Sequence, residues 1–169
     1  MLEIKPAIKS DADLILHYIK ALAIAEDFPF EVTVTLADIE KNLLADDAKA
    51  EALVISYKGK PCGFAVFYFT FSTTTGKRGL HLDDLYLEPK VQGLGIGKKV
   101  LVHLSTLAKK YDCARFEWWA LKTNDDAIKF YLNVGAKQLD ELSIFRLDQT
   151  QIANLAQDRY VAATNGENE

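Results

Sequence analysis

Gly93, Gly95 and Gly97 alternate between an apolar strand-like run, Leu80 to Leu87, and a long amphipathic stretch that starts at about Gly97. Without Cβ atoms, such residues let a ligand approach the peptide N–H groups closely. The start of a helix adds unpaired donors and a partial positive charge. Together these suit an anion, most simply a phosphate or pyrophosphate. The plainer alternative is a tight strand-to-helix turn with no ligand. Upstream, Asp83 and Asp84 are neighbours within the strand-like run. A carboxylate there can bind an ammonium group and relay its proton through water. Neighbours on a regular strand point to opposite faces, so both reach one pocket only if a bulge re-aims one of them. Otherwise they are two exposed carboxylates on a polar face. Downstream, the phenol of Tyr131 stays protonated at neutral pH and can deliver a proton to a departing anion. The helical pattern taken alone favours packing it on a core stripe with Ala127, Ile128 and Val134.

Two common phosphate cradles do not match. A P-loop needs Gly, four residues, then Gly-Lys-Ser/Thr. Counting back from Gly97-Lys98, the first position is Gln92, and Lys99 follows where a hydroxyl is required. A dinucleotide fingerprint needs G-x-G-x-x-G, and Val100 occupies its third glycine. What remains is Gln92-Gly93-Leu94-Gly95-Ile96-Gly97. This resembles the Gln/Arg-x-x-Gly-x-Gly/Ala loop of the GNAT superfamily of acyl-CoA-dependent N-acetyltransferases. The run Asn124-Asp125-Asp126-Ala127-Ile128-Lys129-Phe130-Tyr131-Leu132-Asn133-Val134-Gly135-Ala136 is similar to that family's N-x-x-A-x-x-F-Y helix. Phe64 to Phe71 and Leu82 to Leu87 resemble its spermidine/spermine (diamine) branch, which includes thialysine acetyltransferases. The likeness spans roughly residues 2 to 148.

The resemblance implies acetyl-CoA as cosubstrate and direct attack by a small amine, and the scattered His and Cys residues predict no metal. Its pyrophosphate falls to Gly93–Lys98 and its acyl arm to the strand end Leu85, Tyr86 and Leu87, where main-chain groups pair as an added strand does. The Leu87 amide is the candidate for polarising the thioester carbonyl. The implied coenzyme-binding set is Leu85, Tyr86, Leu87, Gln92, Gly93, Leu94, Gly95, Ile96, Gly97, Lys98, Asn124, Ala127 and Tyr131. For Asn124 a plain helix N-cap is the other reading. Tyr131 becomes the general acid and Asp83 the second catalytic candidate. Glu26, Asp83, Asp84 and Phe145 form the implied amine side. Asp83 takes a position usually held by Glu. Ala25 replaces the usual aromatic before Glu26, Thr74 stands where a loop Trp is common, and Phe145 replaces a pocket Trp. A spermidine-like amine, a shorter diamine, and an amino acid with a terminal amine such as thialysine or lysine all remain open. So do a protein N-terminus or lysine as acceptor, and a non-catalytic coenzyme A-binding module. The branch also implies a homodimer.

The elements that must position these residues read as a mixed α/β pattern. Leu2 to Ile8 alternates like an edge strand. Ser10 and Asp11 can cap a helix carrying Leu14, Ile15, Tyr18, Ile19 and Leu22. Thr35-Leu36-Ala37-Asp38 resembles a capping box. Ala52–Tyr57 and Cys62–Phe71 are apolar runs joined by a hairpin signal at Lys58-Gly59-Lys60. Ala114 to Leu121 reads as a strand whose Trp118 and Trp119 face opposite ways. Thr123 or Asn124 caps a helix that ends at a C′ glycine, Gly135. Leu142 to Leu147 reads as a final strand, Gln149 to Ala163 as a helix, and 164–169 as a disordered tail. The expected architecture is the GNAT acyl-CoA N-acyltransferase fold: a mostly antiparallel sheet with a splayed parallel pair, flanked by helices. One domain covers 1–163.

Composition bounds the rest. The chain has 169 residues, 49% of them apolar, and a net charge of −4. That balance argues against a general nucleic-acid binder and suits a cationic small molecule. No run approaches a membrane span, and the first residues show no secretory h-region, which together predict a cytoplasmic protein. Cys62 and Cys113 match no metal or redox spacing and read as buried thiols. His17, His81 and His103 are scattered.

Overall fold

The computed structural model describes residues 1–27 and 31–157. It divides into two compact units, Met1–Gly135 and a second that begins at Ala136.

In the first unit, β1 (Leu2–Pro6), β2 (Ala50–Tyr57), β3 (Lys60–Ser72), β4 (Lys77–Leu87) and β5 (Arg115–Trp118) form one sheet in sequential order. The first three pairings are antiparallel, whereas β4 and β5 run parallel. The β2–β3 turn places Lys58 at φ 53° and Gly59 at φ 76°. Two successive positive φ angles match strand twist in a two-residue hairpin. Helices α1 (Ala12–Ala25) and α2 (Leu36–Asn42) precede β2, and α3 (Ile96–Lys110) and α4 (Asp125–Asn133) flank β5 in sequence. The capping box of α2 forms as its sequence implies: Asp38 N–H donates to Thr35 Oγ1 (3.2 Å) and Thr35 N–H to Asp38 Oδ2 (2.9 Å).

The period-two alternation of the strands sorts their side chains onto two cores. Phe64 and Val66 of β3 join Ile15, Tyr18 and Ile39 from the α1–α2 side. Ala65 and Phe67 join Ile96, Val100 and Leu104 of α3. Both faces of β3 are therefore covered, which is why Cys62 to Phe67 is an unbroken apolar run.

The register of β4 explains how the sheet opens. Leu82 pairs with Phe67 and Asp84 with Val66, so Asp83 is left without a partner on β3. It is a bulge, which bends a strand and strengthens its twist. The parallel ladder with β5 stops at the same place: Leu82 with Trp118 is its last pair. Past it, β5 has ended, and the side of β4 that faced it has no ladder partner among the described residues. This also shortens the expected strand Ala114–Leu121 to Arg115–Trp118.

In the second unit, α5 (Gln149–Gln157) is opened by a reciprocal cap. Gln151 N–H donates to Asp148 Oδ1 (2.8 Å) and Asp148 N–H to Gln151 Oε1 (2.9 Å). The expected strand Leu142–Leu147 does not form. Its apolar residues lie exposed on both faces, Leu142 and Ile144 as well as Phe145 and Leu147. Alternation and β-propensity describe a surface that suits a sheet, and a strand also needs a ladder partner. The expected continuation of α5 beyond Gln157 and the tail 164–169 lie outside the described residues.

Candidate active site

Glycine placement builds one half of the site. Gly93 and Gly95 have φ of 74° and 75°, a region other residues enter at a cost. Among the described residues, chain neighbours aside, no atom lies within 4 Å of where a Cβ would stand on either. The loop is therefore an open cradle leading into α3, a 15-residue helix with Gly95 as N-cap. Gly97 has a different duty: a Cβ there would come within 3.3 Å of the Phe130 ring, so its absence lets α4 pack against the start of α3. Gln92 turns back, its Nε2 donating to the Leu87 carbonyl at 2.8 Å, which ties the loop to the end of β4. Leu94 and Lys98 are exposed and Ile96 is buried. Leu85 and Leu87 pack partly on the α3 side, and Tyr86 packs on the α1 side against Tyr18 (ring centroids 5.8 Å apart).

The other half is a cavity of about 50 Å³ where the β4–β5 ladder ends, lined by Glu26, Asp83, Asp84, Trp118, Trp119 and Tyr131 with three leucines. That volume accommodates a few waters or the head of a small ligand. The bulge answers the strand-parity problem: Asp83 and Asp84 are neighbours and both line the same space. Glu26 arrives from the C-terminal cap of α1, one turn after the lining Leu22. Among the described residues, no Lys or Arg lines this cavity. Burial, then Asp83, then Glu26 push Asp84 up to about 6. Burial, with a smaller effect from Glu26, raises Tyr131 above the usual phenol value, so its proton is firmly held at neutral pH. Its ring leans on Trp118 and Phe130, with centroids at 5.0 and 5.3 Å. The ring packs on the core of the α3 side, as its place on the helical stripe predicts, and the residue also lines the cavity.

Asn124 caps α4, its Oδ1 accepting from Ala127 N–H at 3.2 Å, and its Nδ2 donates to Glu26 Oε1 at 3.3 Å. Phe145 belongs to the second unit and is 91% exposed. The two tryptophans, expected on opposite faces, both line the cavity because β5 ends between them. Behind Trp119, the nearly buried His81 packs between it and Tyr68 (centroids 4.9 and 5.0 Å), and burial holds the imidazole below its usual range. Leu22 carried no signal beyond its helical spacing from Glu26. No cluster of His, Cys, Asp and Glu suited to a metal occurs among the described residues.

β4 carries a bulge, the loop before α3 is a glycine cradle, and an acidic cavity lies where the β4–β5 ladder ends. Residues 18–136 match the acetyltransferase (GNAT) family, and the chain belongs to it. It is 30% identical over 164 residues to the human spermidine/spermine N(1)-acetyltransferase-like protein 1, covering 91% of this chain but 24% of that much longer protein. It is 29% identical to thialysine N-epsilon-acetyltransferase of Sus scrofa, covering 82% and 85% of the two chains. A Vibrio cholerae integron cassette protein superposes with a TM-score of 0.78 at 25% identity, covering 92% of this chain and 98% of the other.

Proposed function

We propose that this chain transfers the acetyl group of acetyl-CoA to a primary amine of a small polyamine, diamine or thialysine-like diamino acid, by direct attack. The observation that carries the reading is the cavity: Glu26, Asp83 and Asp84 line one space with Tyr131, and among the described residues no Lys or Arg lines it. Such a pocket attracts a cationic ligand and repels an anionic one. The names of the relatives just described point to the same substrate class.

The residues present fit the coenzyme. The empty space above Gly93 and Gly95 leaves the loop's peptide groups reachable, and the N-terminus of α3 favours an anion. Gly93, Leu94, Gly95, Ile96, Gly97 and Lys98 would hold the pyrophosphate, and the unpaired side of β4 at Leu85, Tyr86 and Leu87 the acyl arm. Acetyl-CoA supplies an acetyl thioester, an activated acyl group that leaves behind a thiol. Asp84, half-ionised near pH 6, is suited to take the proton of the bound ammonium, with Asp83 beside it at the more exposed rim. Tyr131 Oη holds the proton a departing thiolate needs.

A homodimer is part of this reading. The free edge of β5 and the exposed apolar run Leu142, Ile144 and Phe145 are surfaces that a second copy can cover. So is a cytoplasmic setting, supported by two free cysteines; among the described residues no helix is long and apolar enough to cross a membrane.

A thiol-release assay with acetyl-CoA against diamines, polyamines, thialysine, lysine and N-terminal peptides tests the substrate. Small dicationic amines are expected to turn over best. Preferential turnover of the peptides moves the reading to protein acetylation, and tight coenzyme binding with no acceptor moves it to a coenzyme A-binding module.

A further inference from the structure

We propose that Trp119 is a specificity-determining residue: its exposed ring and the Asp83 carboxylate form an outer subsite that holds a second cation of the acceptor while the reacting amine lies deeper in the cavity. The inference rests on the acetyltransferase reading above and sharpens it to acceptors that carry two cations.

The polar and aromatic lining of the cavity falls into two levels. Glu26, Asp84, Trp118 and Tyr131 are half-buried, whereas Asp83 and Trp119 are exposed, Trp119 by 56%. About 50 Å³ is room for an ammonium and a carbon or two, not for a whole diamine. The rest of the acceptor has to cross the rim, where those two side chains stand. An indole face attracts a cation through its ring quadrupole, and Trp does so best among the aromatic residues. A carboxylate beside it adds an attraction of the same sign.

The register explains why the ring stands there. Phe67 and Phe69 of β3 and Leu80 and Leu82 of β4 pack on the core of the α3 side, so strand alternation puts Tyr68 and His81 on the opposite face. The parallel ladder ends at Trp118. Trp119 is therefore released from the strand's alternation, and its ring meets His81 with centroids 4.9 Å apart and planes at 70°. His81 in turn packs on Tyr68 at 5.0 Å. Two buried or half-buried rings in a row thus brace the indole and still leave more than half of the residue open to an arriving ligand. Burial holds His81 below its usual range, so at neutral pH the imidazole brings no cation of its own to the indole.

The test compares acceptors of equal length that carry one and two cations: the terminal diamines of butane and pentane against butylamine and pentylamine, at saturating acetyl-CoA. The ratio of kcat/KM within a pair is read in one protein at a time, so a general loss of folded enzyme cancels. In the wild type the ratio favours the diamine. Trp119→Leu keeps an apolar side chain but has no ring face, and lowers the ratio about five- to tenfold, through the diamine KM and with kcat kept. Trp119→Phe, with a weaker ring, falls between the two. Equal losses for diamine and monoamine overturn the proposal, because they describe an apolar wall. An unchanged ratio in Trp119→Leu overturns it too, as does a loss confined to kcat. A wild-type ratio near one removes the subsite while amine transfer stands. Should the wild type acetylate no amine, the transfer reading fails on its own, and calorimetric titration of the butane diamine into the coenzyme A-loaded wild type and Trp119→Leu proteins decides. Tighter binding to the wild type supports the subsite; equal affinities, or binding to neither, overturn it.

Discussion

Around Gly93 and Gly95 the groups on offer are peptide amides, set by six consecutive residues and two positive φ angles. In the acidic cavity they are side chains delivered by α1, β4, β5 and α4, from Leu22 to Tyr131 in sequence. The loop is a local structure that a short spacing can specify. The cavity exists only once the sheet has formed, the bulge at Asp83 has turned β4, and β5 has stopped pairing at Trp118. A site half made of backbone and half of side chains separates two duties. Changes in the cavity should alter the amine and proton steps with the coenzyme still bound, and changes in the loop should do the reverse.

The sharpest break comes from Tyr131→Phe. The ring, and its packing on Trp118 and Phe130, remain. Only the proton is lost. A fall in kcat of about 10²- to 10⁴-fold is expected, the usual range for a general acid, with coenzyme A affinity unchanged in a titration. A wild-type kcat removes Tyr131 from the proton step.

Asp84→Asn comes next, with about a 10²-fold loss in kcat/KM for the amine above pH 7. The wild-type rate should rise with pH through about 6, where Asp84 gives up its proton, and the variant should lack that limb. Stability moves the other way. The folded value lies above the ordinary carboxylate value of about 4, so the contribution of Asp84 to stability is complete below that pH and is lost as pH rises through about 6. At pH 8 the wild-type protein holds a half-buried carboxylate beside Asp83 and Glu26. Asp84→Asn should therefore raise the melting temperature at pH 8 and leave it unaltered or lower at pH 4. A variant less stable than wild type at pH 8 shows that Asp84 is paired with something in the folded protein. The catalytic weight would then pass to Asp83.

The same contrast explains what could be read before the fold was seen. Capping at Thr35 and Asp38, the Lys58-Gly59 hairpin and the glycine loop are determined by neighbours within a few residues, and each forms as its letters imply. Asp83 and Asp84 were legible only as a choice between two exposed carboxylates and a bulge that turns both to one pocket, and the register of β4 supplies the bulge. The failures are non-local. Leu142–Leu147 has the alternation of a strand without a ladder partner. Trp118 and Trp119 share a cavity because pairing stops between them, which depends on β4 rather than on β5's own residues. The Asn124–Glu26 bond joins positions whose proximity no local pattern encodes. Leu22 reaches the cavity for the same reason.

Gly95→Val probes the backbone half and should have the smallest effect. Among the described residues beyond its chain neighbours, nothing lies within 4 Å of the added Cβ, so the Cβ itself meets no obstacle. The cost is conformational. At φ 75° a left-handed residue other than glycine gives up about 1–2 kcal/mol, and a β-branched one stands at the upper end. The loop relaxes away from this geometry, and coenzyme A binding has to restore it. The dissociation constant should rise by about 5- to 30-fold, more if the valine methyl groups also stand where the bound anion lies. At saturating coenzyme, the amine KM and the limb near pH 6 should be those of wild type, because nothing in the cavity has changed. A Gly95→Val protein that binds coenzyme A normally but loses amine affinity would reverse the assignment of the two halves. One in which both fall together would show that the contact between Gly97 and Phe130, where a Cβ would come within 3.3 Å, transmits loop strain to the helix that bears Tyr131.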